Sequence, residues 1–92
     1  MPAARADILS AYDWYAARDP AVADAFRLRL DMTVRRIAEQ PEGYQLVYRE
    51  LRRALLPRFP FGVFFQIRPG LVQIVGVLHT SRDPALWRAR SE

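Results

Sequence analysis

Apolar positions follow two different rhythms along this chain. Up to about residue 40 they recur every three or four positions, and beyond residue 50 they alternate or run together. In the first stretch Ile8, Ala11, Tyr12 and Tyr15 share one face at helical spacing, with Asp7 and Arg18 off that face. This spacing predicts an amphipathic helix over Pro2–Arg18. Asp19-Pro20 then marks a boundary, because Asp accepts from the free amides of a first turn and Pro is pre-set for its first position. A second helix is predicted from Pro20 to Gln40. Its buried stripe is Val22, Phe26, Leu30, Val34 and Ile37, while Arg27, Asp31, Arg35 and Glu39 lie outside it at spacings that suit weak pairs across a turn. Pro41 and Gly43 stop it, and two helices joined by a tight turn form a hairpin.

The second regime is strand-like. Phe61–Arg68 is dominated by β-branched and aromatic residues, which suit a pleated, half-buried surface, and the apolar runs Leu51–Leu56 and Leu71–Leu78 flank it as further strands. Pro57–Pro60 and Pro69-Gly70 separate them, so they read as a three-stranded antiparallel meander. Gln40–Glu50 reads as a loop. Asp83-Pro84 repeats the earlier boundary signal and predicts a short helix from Pro84 to Arg90, anchored by Leu86 and Trp87. The expected fold is α+β: a small antiparallel sheet packed on one face against a helical hairpin, with a short C-terminal helix. Phe26, Leu30, Ile37, Val63, Phe65, Ile74 and Leu78 are expected in its core.

Composition narrows the picture further. With 92 residues the chain is expected to form one domain, 1–92, whose core is small enough for a partner to matter. No stretch approaches the roughly 20 apolar residues that span a bilayer, and no signal pattern opens the chain, so a cytoplasmic protein with no membrane contact is expected. Cysteine is absent, which excludes disulfides and thiolate metal sites, and a single histidine cannot hold a metal alone. No cofactor is expected. All 14 basic residues are arginine and the net charge is +4. Coding-sequence composition, which also favours Ala and Pro, explains the arginines most simply. The surplus nevertheless suits an acidic partner, since the arginine fork matches carboxylates and phosphates.

Few residues offer chemistry. Histidine is the residue type whose ordinary pKa lies nearest neutrality, but as a general base His79 is expected to lack a neighbouring Ser or Cys nucleophile or an acidic pair, and local hydrogen bonding is its simpler role. Arg52, Arg53, Arg58, Arg68 and Arg82 fall at strand ends, where charges also discourage aggregation of edges. Trp87 is suited to stacking on a base, yet a tryptophan facing apolar neighbours in a terminal helix is usually core. No phosphate loop, zinc pattern or catalytic triad is present.

Three segments resemble the RelE/ParE superfamily, the toxins of type II toxin–antitoxin systems often described as plasmid stabilisation proteins. They are Ala11-Tyr12-Asp13-Trp14-Tyr15, Phe59-Pro60-Phe61-Gly62-Val63-Phe64-Phe65, and Val77-Leu78-His79-Thr80-Ser81-Arg82-Asp83-Pro84. The resemblance covers nearly the whole chain, and the His-x-x-Arg-Asp-Pro ending is its most specific part. It implies a small sheet with a helical hairpin on one face. It also implies a cognate antitoxin, a toxin–antitoxin hetero-oligomer, and contact with operator DNA only through the antitoxin.

Two departures from the family pattern bear on structure and activity. Family members usually begin with a short strand ahead of the first helix, whereas this chain enters the helix almost at once, which would leave one sheet edge uncovered. The mRNA-cleaving branch carries Tyr-Arg where this chain has Phe61-Gly62, and lysines where an ungapped alignment gives Arg53 and Leu55. Its C-terminal Arg and Tyr match Arg82 and, loosely, Trp87. Cleavage needs a group to activate the 2′-hydroxyl and cations to stabilise the developing charge. Glycine supplies neither, and tryptophan does not transfer a proton as tyrosine does. The resemblance therefore implies the ParE branch, whose members inhibit DNA gyrase by binding, with Arg82, Trp87, Arg88 and Arg90 as target-binding residues. A ribosome-dependent endonuclease, using Arg53, His79 and Arg82 together, is the alternative. A non-toxic antitoxin-binding module is the third.

Overall fold

The computed structural model describes residues 2–91. Two helices, α1 (Pro2–Ala16) and α2 (Pro20–Glu39), precede four strands and a short helix. The strands are β1 (Gln45–Tyr48), β2 (Leu51–Leu55), β3 (Phe61–Arg68) and β4 (Leu71–His79), and the helix is α3 (Pro84–Arg88). Single 3₁₀ turns at Pro41–Gly43 and Ala89–Ser91 complete the described elements.

Both Asp-Pro boundaries act as predicted. Asp19 Oδ1 accepts from the Ala21 amide at 3.0 Å, and Asp83 Oδ1 accepts from the Ala85 amide at 2.9 Å. Each aspartate satisfies an amide that has no partner within its own helix. Asp19→Ala is expected to lower stability by about 1 kcal/mol, read from a urea titration; no change in midpoint would show that Pro20 alone sets this end. On α2, Phe26, Leu30 and Ile37 are buried and Val34 is half-buried, but Val22 is 36% exposed, in the first turn beyond the sheet's cover.

The strands form one antiparallel sheet in the order β1-β2-β3-β4. The reading of Gln40–Glu50 as a loop is corrected: Gln45–Tyr48 is a fourth, edge strand. It pairs with β2 through an irregular register and turns back at Arg49–Glu50, with Arg49 at a positive φ of 52°. A four-residue strand that ends in a non-glycine left-handed turn carries neither length nor turn residues as a signal.

Adjacent residues of β3 face opposite sides of the sheet, and each side has its own core. Val63 and Phe65 join Ala54, Val77 and the helices α1 and α2. Phe64 joins Leu51, Val75, Leu78 and Trp87 of α3. The helices therefore cover both faces, not one: α3 lies across the sheet from the hairpin. Ile74 is half-buried; the other six expected core residues are buried. Gln66, also buried, holds the C-terminal segment down by donating from Nε2 to the Ser91 carbonyl at 2.5 Å while its Oε1 accepts from Arg68 at 2.6 Å.

β4 is the other edge strand, and part of that edge is met by side chains. Asp7 Oδ2, from α1, accepts from the Val77 amide at 3.0 Å. It also accepts from Arg90 Nη1 at 2.5 Å, and Arg90 Nη1 reaches the Val75 carbonyl at 3.2 Å. Asp7 reads as a polar position off the apolar face, yet here it is a bracket. Gly76 makes room for it, since a Cβ there would lie 2.7 Å from Arg90 Nη1 and 3.3 Å from Asp7 Oδ2.

Candidate functional site

The end of β4 and the turn after it gather the polar groups that the sequence singles out. His79 is the last residue of β4, paired across the ladder with Phe61, and the two rings meet edge to face at 5.3 Å. The turn folds back on the strand: the Thr80 amide donates to the Pro60 carbonyl at 2.8 Å and the Arg82 amide to the His79 carbonyl at 3.0 Å.

The expectation that His79 lacks a neighbouring serine is corrected, since the turn brings Ser81 back onto its ring. Ser81 Oγ lies 2.7 Å from His79 Nδ1, and the Ser81 backbone amide donates to the same nitrogen at 3.0 Å. That amide fixes the tautomer: Nδ1 accepts, so the ring proton is on Nε2. Catalytic serines have a base oriented by a third group, and among the described residues no acid meets the ring's other nitrogen. Both residues are exposed, and the arrangement stabilises the turn.

Beside this turn a pocket of about 490 Å³ opens between α1 and the sheet, walled by Trp14, Tyr15, Phe61 and Val77, with His79 and Arg82 also in its lining. Burial pushes the Tyr15 phenol above its ordinary pKa, so it is neutral at physiological pH and is no base. Among the described residues, no hydrogen bond or ion pair engages the Arg82 guanidinium. Trp14 is 55% exposed, and the Arg18 guanidinium covers its ring at 3.6 Å.

The remaining singled-out residues lie elsewhere. Trp87 is 8% exposed and stacks on Phe64 at 5.0 Å with 21° between the rings, which makes it core of the second face. Arg88 is exposed, its guanidinium 5.4 Å from the Tyr48 ring centre and 5.5 Å from that of Trp87. Arg90 is committed to Asp7 and the Val75 carbonyl. Arg53 pairs with Phe64 in the ladder and so belongs to the α3 face, whereas His79 shares the hairpin face with Phe61. Its stem fills the space beside Gly62: a Cβ at Gly62 would sit 3.1 Å from both Cγ and Cδ of Arg53. Arg53 and His79 therefore do not converge. Among the described residues no group of three His, Cys, Asp or Glu side chains could hold a metal.

A second, wider groove of about 800 Å³ runs along the other side of α1, floored by Ile8, Leu30, Val34 and Ile74 and edged by Arg5 and Arg35. No helix among the described residues is long and apolar enough to cross a membrane.

The family model described as "ParE toxin of type II toxin-antitoxin system, parDE" matches residues 1–84. The chain belongs to the ParE toxin family. No curated protein matches it. Membership makes it a toxin of the type II toxin–antitoxin class, with an antitoxin as its partner. The match runs from α1 through the His79–Asp83 turn to the start of α3. Trp87, Arg88 and Arg90 lie beyond it, while the pocket beside Trp14, His79 and Arg82 lies within it.

Proposed function

We propose that residues 1–92 act as one ParE-type toxin domain in the cytoplasm that inhibits DNA gyrase by binding it, and that a cognate antitoxin neutralises it in a hetero-oligomer. The observation that carries this reading is the separation of Arg53, on the α3 face, from His79 on the hairpin face. Cleavage of RNA needs a base and charge-stabilising cations on one phosphodiester, and removing a single such group commonly costs about 10²–10³ in rate. Here Gly62 adds no cation, Trp87 is buried, and Arg53 faces away. Inhibition by binding asks only for a complementary surface, and Arg82 beside an apolar pocket supplies one.

The antitoxin has a surface of its own in this reading. The groove between α1 and α2 has an apolar floor and arginine edges, which supports docking of an amphipathic acidic segment. Operator DNA is then reached through the antitoxin.

The purified chain is expected to inhibit supercoiling by gyrase while ribosome-bound mRNA stays intact, with Arg82→Ala weakening inhibition by about tenfold or more. Codon-phased cuts mapped by primer extension, alongside normal supercoiling, would instead make the chain a ribosome-dependent nuclease. Trp87→Ala is expected to reduce activity only as far as it reduces the folded fraction, because the indole is buried and stacked on Phe64.

A further inference from the structure

We propose that the pocket between α1 and the end of β4 is the anchor site for the toxin's target. It would take an apolar side chain of the target protein together with a carboxylate one or two residues away on the same exposed segment. The target's name rests on the gyrase reading above; the chemistry of the site does not.

The ligand class follows from the lining. At about 490 Å³ the pocket is large enough for an aliphatic or aromatic side chain, and Trp14, Tyr15, Phe61 and Val77 offer it apolar walls. The polar side supplies two kinds of donor. Arg82 has no hydrogen bond or ion pair to any described residue, so binding a carboxylate costs it no existing partner. His79 keeps its proton on Nε2 because the Ser81 amide occupies Nδ1. A guanidinium fork and an N–H donor at one mouth fit a carboxylate.

Local charge points the same way. Asp7 also lines the pocket, and alone it would repel an acid. Its carboxylate is already held by Arg90 and by the Val77 amide. Asp83, next to Arg82, is turned onto the Ala85 amide as a helix cap. A nucleic-acid backbone fits less well, because its binding rests on several cations in a row and not on an apolar hole with one available arginine.

The test compares Arg82→Glu and Trp14→Ala with Arg36→Glu, a charge change of the same size on α2. Arg82 and Trp14 are exposed, so circular dichroism and thermal midpoints should match the parent chain. Three quantities are read: inhibition of purified gyrase, growth arrest on expression, and capture by the antitoxin encoded beside the toxin. Both pocket variants should need at least about tenfold more protein for half-inhibition. They should also lose growth arrest and retain antitoxin capture, with Arg36→Glu unchanged.

If both variants inhibit and arrest growth within twofold of the parent, the proposal is overturned. Loss of antitoxin capture with arrest retained assigns the pocket to the antitoxin and overturns it too. So does binding to duplex DNA alone that Arg82→Glu abolishes. If the parent arrests growth without touching supercoiling, the gyrase reading falls. The pocket is then judged on arrest alone, and stands only if the two variants lose it. A parent chain that neither inhibits nor arrests removes both.

Discussion

Phe26→Ala will leave little folded protein at 25 °C. Phe26 is fully buried and sits where four segments meet. Its ring lies 5.5 Å from Tyr15 of α1, 5.5 Å from Phe59 in the turn after β2, and 5.2 Å from Phe61 at the start of β3. The contacts to Phe59 and Phe61 are edge to face, a geometry that adds to the area term. Truncating a buried Phe typically costs about 3–5 kcal/mol, and the total stability of a domain this small is about 5 kcal/mol. The variant should show lost near-ultraviolet circular dichroism and a urea midpoint near zero. Phe26→Leu keeps much of the volume and should cost less than about 1.5 kcal/mol. A midpoint for Phe26→Ala within error of the parent would mean that the helical hairpin does not depend on this cluster.

The second large effect is expected at the opposite end of α1. Asp7→Ala strands the Arg90 guanidinium and removes the acceptor of the Val77 amide. The Asp7 and Arg90 side chains are 12% and 19% exposed, so solvent cannot fully replace the lost partner. Breaking one side of a fully buried pair costs about 3–5 kcal/mol; allowing for the partial exposure, about 2–4 kcal/mol is expected. Arg90→Ala should cost a similar amount, and the double variant should cost much less than the sum, because the pair acts as one unit. Gly76→Ala is expected to mimic these losses without removing either charge, since its methyl would occupy the place of Arg90 Nη1. Hydrogen exchange at the Val77 amide should rise in all three. Additive single-site losses would show that the bracket is incidental to stability.

What could be read along the chain was whatever is settled within a few residues. Asp19-Pro20 and Asp83-Pro84 announced two helix starts because a cap and its amide lie two residues apart. The stripe of Phe26, Leu30 and Ile37 announced the buried face of α2, and the runs from Leu51, Phe61 and Leu71 announced three strands. The family was legible for the same reason, in short segments that include the His79–Pro84 ending.

Only the tertiary structure decided the rest, because the partners are far apart in sequence. Asp7 and Arg90 are 83 residues apart, and nothing around either one predicts that together they close part of the β4 edge. Trp87 could not be told from an exposed anchor until Phe64, on the second face of the sheet, was found against it. β1 depends wholly on its pairing with β2, so four residues without a turn signal looked like loop. The pocket depends on α1 lying beside the end of β4, which brings Trp14 to the same opening as His79 and Arg82. Side-chain alternation along β3 and β4 is local, but which face the hairpin covers is not. That choice set His79 and Arg53 on opposite faces, which their sequence positions had left open.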